Sequence, residues 1–299
     1  MGTIGVLCAR IRVEEKQIAA ALAEAGASMQ PIQPAALPMP PAQPVPLPPA
    51  PGLTGGLAGE MIVDRLQNRA VASAMTRLLR LHGSTVLGAG LAAENDRLAV
   101  ATALANAGLP RPACWLAPND EAALAAVEVA GYPATLLPLA YDSRPIVLLD
   151  RDTAEAVTEH RMVLGAGVER VSLIQQGANL AATTVIVIAG RAVAAHGLDG
   201  ATLSPSAIRV AEAAADAIDA DICGVQIVES GNGPLVWDID PVPDFRHAAP
   251  LGDRDAATAI AALAMTRVSA SQSSGRANAL RSSFARDMEE IRGDVILTA

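Results

Sequence analysis

The chain has 299 residues, is 51% hydrophobic and only 2% aromatic, and carries a formal net charge of -9. That share of apolar residues excludes a disordered chain, and the scarcity of rings means that Ala, Val, Leu and Ile must build the cores, which suits α/β layers. An acidic chain with no basic cluster excludes a nucleic-acid partner, which would need positive charge laid along a phosphate track.

In chain order, residues 3–8, TIGVLC, form an apolar β-branched run, so a strand is expected. VEEKQIAAALAEAG, 13–26, follows with Ile18, Leu22 and Ala25 at helical spacing and a glycine stop. Residues 31–51 then hold ten prolines. Each lacks a donor and fixes φ, so neither helix nor central strand is expected there, and the stretch reads as an extended surface arm. EMIVDRL, 60–66, predicts a strand, NRAVASAMTRLLRLHG, 68–83, an amphipathic helix, and STVLGA, 84–89, another strand. Strands alternating with helices argue for parallel pairing.

AENDRLAVATALANAG, 93–108, is a helix with an acidic start and a glycine stop, and DEAALAAVEVAG, 120–131, is a second. YPATLLPL, 132–139, RPIVLLD, 144–150, RVSLIQQ, 170–176, and TTVIVIAGRAVAAHGL, 183–198, read as antiparallel strands, with a helix over DTAEAVTEHRMVLG, 152–165, among them. Helices over SAIRVAEAAADAI, 206–218, and DRDAATAIAALAMTRV, 253–268, flank a hairpin. Beyond residue 269 a Ser/Arg-rich tail is expected to be mobile or ordered by a partner.

The hairpin, CGVQIVESGNGPLVWDIDPVPDFRH at 223–247, carries Asp238 and Asp240. Strand alternation puts these two carboxylates on one face and Leu235, Trp237 and Ile239 on the other. Two adjacent anions repel, so solvent, a basic group or a cation must stand between them. With a Gly231-Asn232-Gly233 turn the residue facing them is Gln226, which is neutral, whereas a divalent-metal site would take a third carboxylate there.

Cys8, Cys114 and Cys223 are widely spaced and lack CxxC pairing, which supports neither a disulfide framework nor a zinc site. The most apolar segment, 180–198, is interrupted by Arg191 and is too short for a bilayer, so a cytoplasmic protein without a membrane partner is expected. His82 and His160 fall near helix ends and read as caps or surface residues, and His196 has no assigned role.

Three segments together resemble the ATP-grasp ligases, in the branch that includes LysX, RimK and the ligases that glutamylate tetrahydromethanopterin. They are CARIRVEEKQIAAALAEAG, then MIVDRLQNRAVASAMTRLLRLHGSTVLGAG with ENDRLAVATALANAGLPRP, then AAVEVAGYPATLLPL. The resemblance spans roughly residues 4–265 and implies an α/β (α+β) fold. It would have an N-terminal parallel-sheet domain at 1–90 with the arm at 31–52, a central subdomain at 91–170 and a C-terminal subdomain at 171–268. The last two would form a nucleotide cleft, with 269–299 as the tail.

Carried over residue by residue, the family's two phosphate-contacting lysines become Arg97 and Leu137, and Gln176 joins them as a nucleotide position. The metal-binding hairpin residues become Gln226, Asp238 and Asp240. Phe245 and Arg246 match a segment beside the amino-acid substrate, implying a carboxylate or amino-acid-like ligand, with ion pairing to Asp244 or Asp253 as the alternative for Arg246. The Asp and Arg that end the family's "GxDIR" strand fall near Ala182 and Thr184, and only GLDGATL stands between His196 and Ser204, which implies deletion of the basic loop that in these ligases covers substrate and phosphates. Independently of any alignment, the chain contains one lysine, Lys16, which cannot supply two. No catalytic residue is assigned.

These losses imply a degenerate ATP-grasp protein, kept as a non-catalytic partner subunit or small-molecule binder in cofactor or amino-acid biosynthesis, as a homo-oligomer or beside an active paralogue. The alternative is an active ATP-dependent carboxylate-amine ligase that uses ATP and Mg2+ through an acyl-phosphate.

Overall fold

The computed structural model describes residues 2–34, 61–165, 167–178, 182–197 and 203–270. Most of the proline-rich arm, the segment after Gly197 in which the deleted basic loop was expected, and nearly all of the C-terminal tail lie outside the described residues.

Apolar β-branched runs at β1 (Gly2–Leu7) and β3 (Met61–Asp64) form the centre of a parallel sheet, with β2 (Ala27–Ile32) and β4 (Thr85–Leu87) at its edges in the order β2-β1-β3-β4. The crossovers contain α1 (Val13–Glu24) and α2 (Arg69–Leu81). β2 corrects the expectation that the arm begins at residue 31. Its Pro31 pairs with Val6, and a strand can carry a proline when it forms the sheet's edge.

A second, antiparallel sheet runs β5-β8-β6-β7, from β5 (Cys114–Ala117), β6 (Ala134–Pro138), β7 (Ile146–Leu148) and β8 (Ser172–Gln176). β5 has no counterpart in the sequence reading, because Pro110, Pro112 and Pro118 flank it closely enough to hide a strand of four residues. α4 (Asp120–Ala130) and α5 (Arg151–Leu164) pack on the face carrying Ala134, Leu136 and Ile174.

The third sheet runs β12-β11-β9-β10-β13, from β9 (Thr183–Ile188), β10 (Arg191–His196), β11 (Ile222–Ser230), β12 (Gly233–Asp240) and β13 (Ala249–Pro250). One face buries Val185, Val187, Val225 and Ile239 against α6 (Pro205–Ala217). α3 (Arg97–Asn106) contributes Val100 and Leu104 to this same core, although its place in the chain assigned it to the central subdomain. The opposite face carries Ile186, Ile188 and Ala194. It shares one core with Ile4, Val6 and Met61 of the parallel sheet and with Ile260 and Ala264 of α7, the helix at 256–270. The first and third sheets are therefore joined through continuous apolar packing.

A bulge after Gln226 gives β12 one extra residue. Val236 thus pairs with Ile227 and enters the core with Ile239, so the expected grouping of Leu235, Trp237 and Ile239 on one face does not hold. Gln226 does stand opposite Asp238 and Gly224 opposite Asp240, which keeps the two carboxylates on one face.

The cysteines are free thiols, and Cys8 and Cys223 are buried. Burial, reinforced by Glu15, pushes Cys8 up to about 11, and burial, reinforced by Asp240, pushes Cys223 up to about 12. A thiolate is needed for attack on a disulfide reagent. Labelling at pH 8 should therefore modify the half-buried Cys114 first and the other two only on unfolding; equal labelling rates at all three would contradict this placement.

Candidate functional site

The strand registers place His196, Thr184, Gln226 and Asp238 in one row across the third sheet, with Ala194, Ile186, Gly224 and Asp240 in the next. This is the face that meets the parallel sheet, so both carboxylates lie where the parts of the molecule converge.

Asp238 is bonded to an arginine, and Asp240 lies within the field of a second. Arg97 opens α3, whose N-cap Asp96 accepts from the Leu98 and Ala99 amides. It is only 6% exposed, and its Nε donates to Asp238 Oδ2 at 3.1 Å while the other oxygen accepts from the Ile239 amide at 2.9 Å. Its NH1 donates to the carbonyls of Pro138 and Ala140, both at 2.8 Å, and the guanidinium lies 4.2 Å from the centre of the Tyr141 ring. Burial raises the Asp238 pKa and Arg97 opposes the rise, which is the balance expected of a carboxylate removed from water but given a counterion.

Asp240 accepts from the Val242 amide at 2.9 Å, and its pKa is also raised by burial, against the pull of that amide and of Arg65. Arg65 directly follows β3. It is fully enclosed, donates to the Pro243 carbonyl at 3.0 Å, lies 3.5 Å from Glu15 and stacks 5.0 Å from the Phe245 ring. Burial lowers its pKa. Arg97 thus supplies Asp238 with a bonded counterion, while Arg65, paired with Glu15, acts on Asp240 only through its charge.

Leu137 lies on β6 at 2% exposure, facing Arg97, Leu173 and Trp237 across a gap of about 10 Å³, room for one water molecule. Gln176 is a correction. Leu137 pairs with Leu173, and Thr135, two residues before Leu137 on its strand, pairs with Gln175, so period-two alternation puts Gln175 on the cleft face and Gln176 on the helix-covered one. Gln176 donates to the Ala130 carbonyl at 3.3 Å, whereas the buried Gln175 donates to the Trp237 carbonyl at 3.2 Å and links the second and third sheets.

Arg246 is about half exposed and pairs with Asp244 at 2.9 Å and Glu14 at 3.7 Å, rather than with Asp253. Burial would raise the Asp244 pKa, but the Arg246 amide and guanidinium, donating at 3.0 and 2.9 Å, help to outweigh it and hold the carboxyl low. Phe245 is buried beneath Arg65, and both Phe245 and Arg246 line a cavity of about 110 Å³ with Gln17 and Asp255. Thr184 lies near the start of β9 with Ala182 just before the strand, and Lys16 is exposed on α1.

Among the described residues, no group of three or more His, Cys, Asp or Glu is arranged to hold a metal ion. The residues present do not fit magnesium with a nucleotide. Asp238 is bonded to a guanidinium, its cross-strand neighbour is Gln226, and Leu137 offers no donor where a phosphate would need one. Arg65, Tyr141, Asp142 and Gln175 escaped the sequence reading. The VDR run flagged Arg65 only as part of a motif, and nothing local signals the others.

No protein-family model matches the chain. Among solved structures it is similar to a RimK domain ATP-grasp protein from Sphaerobacter thermophilus, at 28% identity over 88% of this chain and 100% of that one, with a TM-score of 0.73. It is also similar to the ATP-grasp ligase PsnB complexed with a precursor peptide and AMPPNP, at 15% identity, 88% and 96% coverage and a TM-score of 0.61. A third is the D-alanine–D-alanine ligase from Bacillus anthracis complexed with ATP, at 13% identity, 91% and 99% coverage and a TM-score of 0.59. With one parallel and two antiparallel sheets among its described residues and this likeness to solved structures, the chain has the fold of the ATP-grasp ligases.

Proposed function

We propose that this ATP-grasp protein is non-catalytic, its nucleotide and metal site filled by its own side chains. It serves in the cytoplasm as a partner subunit of an active paralogue, or as a binder of a small carboxylate or amino-acid-like molecule, in cofactor or amino-acid biosynthesis. The observation that carries this reading is the Arg97–Asp238 pair, 6% and 9% exposed, at the position where relatives of this branch would hold a cation. A guanidinium bonded to a buried carboxylate and to two carbonyls must break all of these bonds before an ion can reach the carboxylate. The retained Asp240 and the likeness to a RimK domain protein favour the second reading, an ATP-dependent carboxylate-amine ligase. Release of ADP from MgATP, measured across a panel of amino acids and small carboxylates, separates the two. The proposal expects release no faster than in a denatured control, and amine-dependent release would restore the ligase.

A further inference from the structure

We propose that residues 138–143, the segment leaving β6, form a strap that keeps the cleft closed, with Asp142 as its latch. The inference rests on the reading that the site takes no magnesium nucleotide at rest and adds what holds it shut. Each of the six residues is fastened to α2 or to the start of α3. The Pro138, Ala140 and Ser143 carbonyls accept from Arg97 NH1, at 2.8, 2.8 and 3.4 Å, and the Leu139 carbonyl accepts from the Arg97 amide at 2.9 Å. The Tyr141 amide donates to Asn95 Oδ1 at 2.7 Å while its ring lies against Arg97. Asp142 accepts from the Arg69 amide, from the Ala70 amide at 2.7 Å and from Asn95 Nδ2 at 3.1 Å.

The Asp142 contacts cross between parts of the fold. α2 belongs to the parallel-sheet unit, the strap to the second sheet, and α3 to the core of the third. Asn68, the N-cap of α2, already satisfies the Val71 amide at 3.0 Å, and Asp142 takes the two amides before it. A carboxylate at the positive end of a helix is favourable for both dipole and hydrogen-bond reasons, so the latch is bonded rather than merely packed. Any ligand entering beside Leu137 would have to displace Arg97 and, with it, the strap.

Amide hydrogen exchange on the full chain without nucleotide tests this. In Asp142→Ala the Arg69 and Ala70 amides lose their acceptor whatever the strap does, so the informative amides are Tyr141, Ser143 and Arg97. The strap predicts that these three exchange at least about tenfold faster than in the wild type; acceleration confined to Arg69 and Ala70 overturns it. Should Asp142→Ala fail to fold, Asp142→Asn keeps one acceptor and is expected to accelerate the same three amides by a smaller factor, with no acceleration again overturning the proposal. Since no nucleotide is present, the result is independent of whether the wild type binds or turns over ATP.

Discussion

Arg97→Ala is expected to cost about 3–5 kcal/mol of folding stability, the range for removing one partner of a buried ion pair. The pair's side chains are 6% and 9% exposed, so solvent screening does little to reduce the loss. The variant leaves the Asp238 carboxylate enclosed without its counterion and strips a donor from the Pro138 and Ala140 carbonyls. Arg97→Lys should fall between, because a point-charge ammonium cannot reach the carboxylate and both carbonyls at once. Arg97→Ala combined with Asp238→Asn should lose less than the sum of the two single changes, since the stranded charge is gone. Denaturant unfolding at pH 7 measures all four variants. A loss below about 1 kcal/mol for Arg97→Ala would place this pair with ordinary surface ion pairs and undo its structural role.

The second large effect is expected from an attempt to restore the site. Leu137→Lys with Gln226→Asp returns the residue types that resemblance assigns to a phosphate contact and a metal ligand, yet it should not create nucleotide affinity. Arg97 still holds Asp238, and the gap beside Leu137 is about 10 Å³. The lysine would replace a side chain that is 2% exposed beside a gap of about 10 Å³, so overpacking costs about 1–3 kcal/mol and the ammonium must leave water. The double variant should therefore be less stable and still blind to MgATP by calorimetry. Low micromolar affinity in this variant would mean that two side chains alone had closed the cleft.

The order of strands and helices was legible because glycine and proline punctuate this chain and its apolar residues keep period two or 3.6 between them. β2 and β5 were not, since ASMQPI contains a proline and runs into the proline-rich stretch, and CWLA has prolines close on both sides. The facing of Asp238 and Asp240 followed from alternation, but the one-residue bulge beside them changed which neighbours enter the core, and a one-residue offset exchanged Gln175 for Gln176 on the cleft face. What fills the site could not be read from spacing at all. Arg97 and Asp238 are 141 residues apart, and Asp142 and Ala70 are 72. Sequence reading gave Arg97 a phosphate because only its residue type was visible, whereas packing gave it Asp238.

In the proposed non-catalytic protein, Arg97 takes the place of a metal and a nucleotide at Asp238 of the last hairpin. Isothermal titration of the wild-type chain with ATP and magnesium tests it most directly. Losing charge-assisted phosphate contacts worth about 1.5–3 kcal/mol each, and having to displace Arg97 from Asp238, puts the expected dissociation constant in the millimolar range or beyond detection. A dissociation constant of a few micromolar, with magnesium required for binding, would contradict the account.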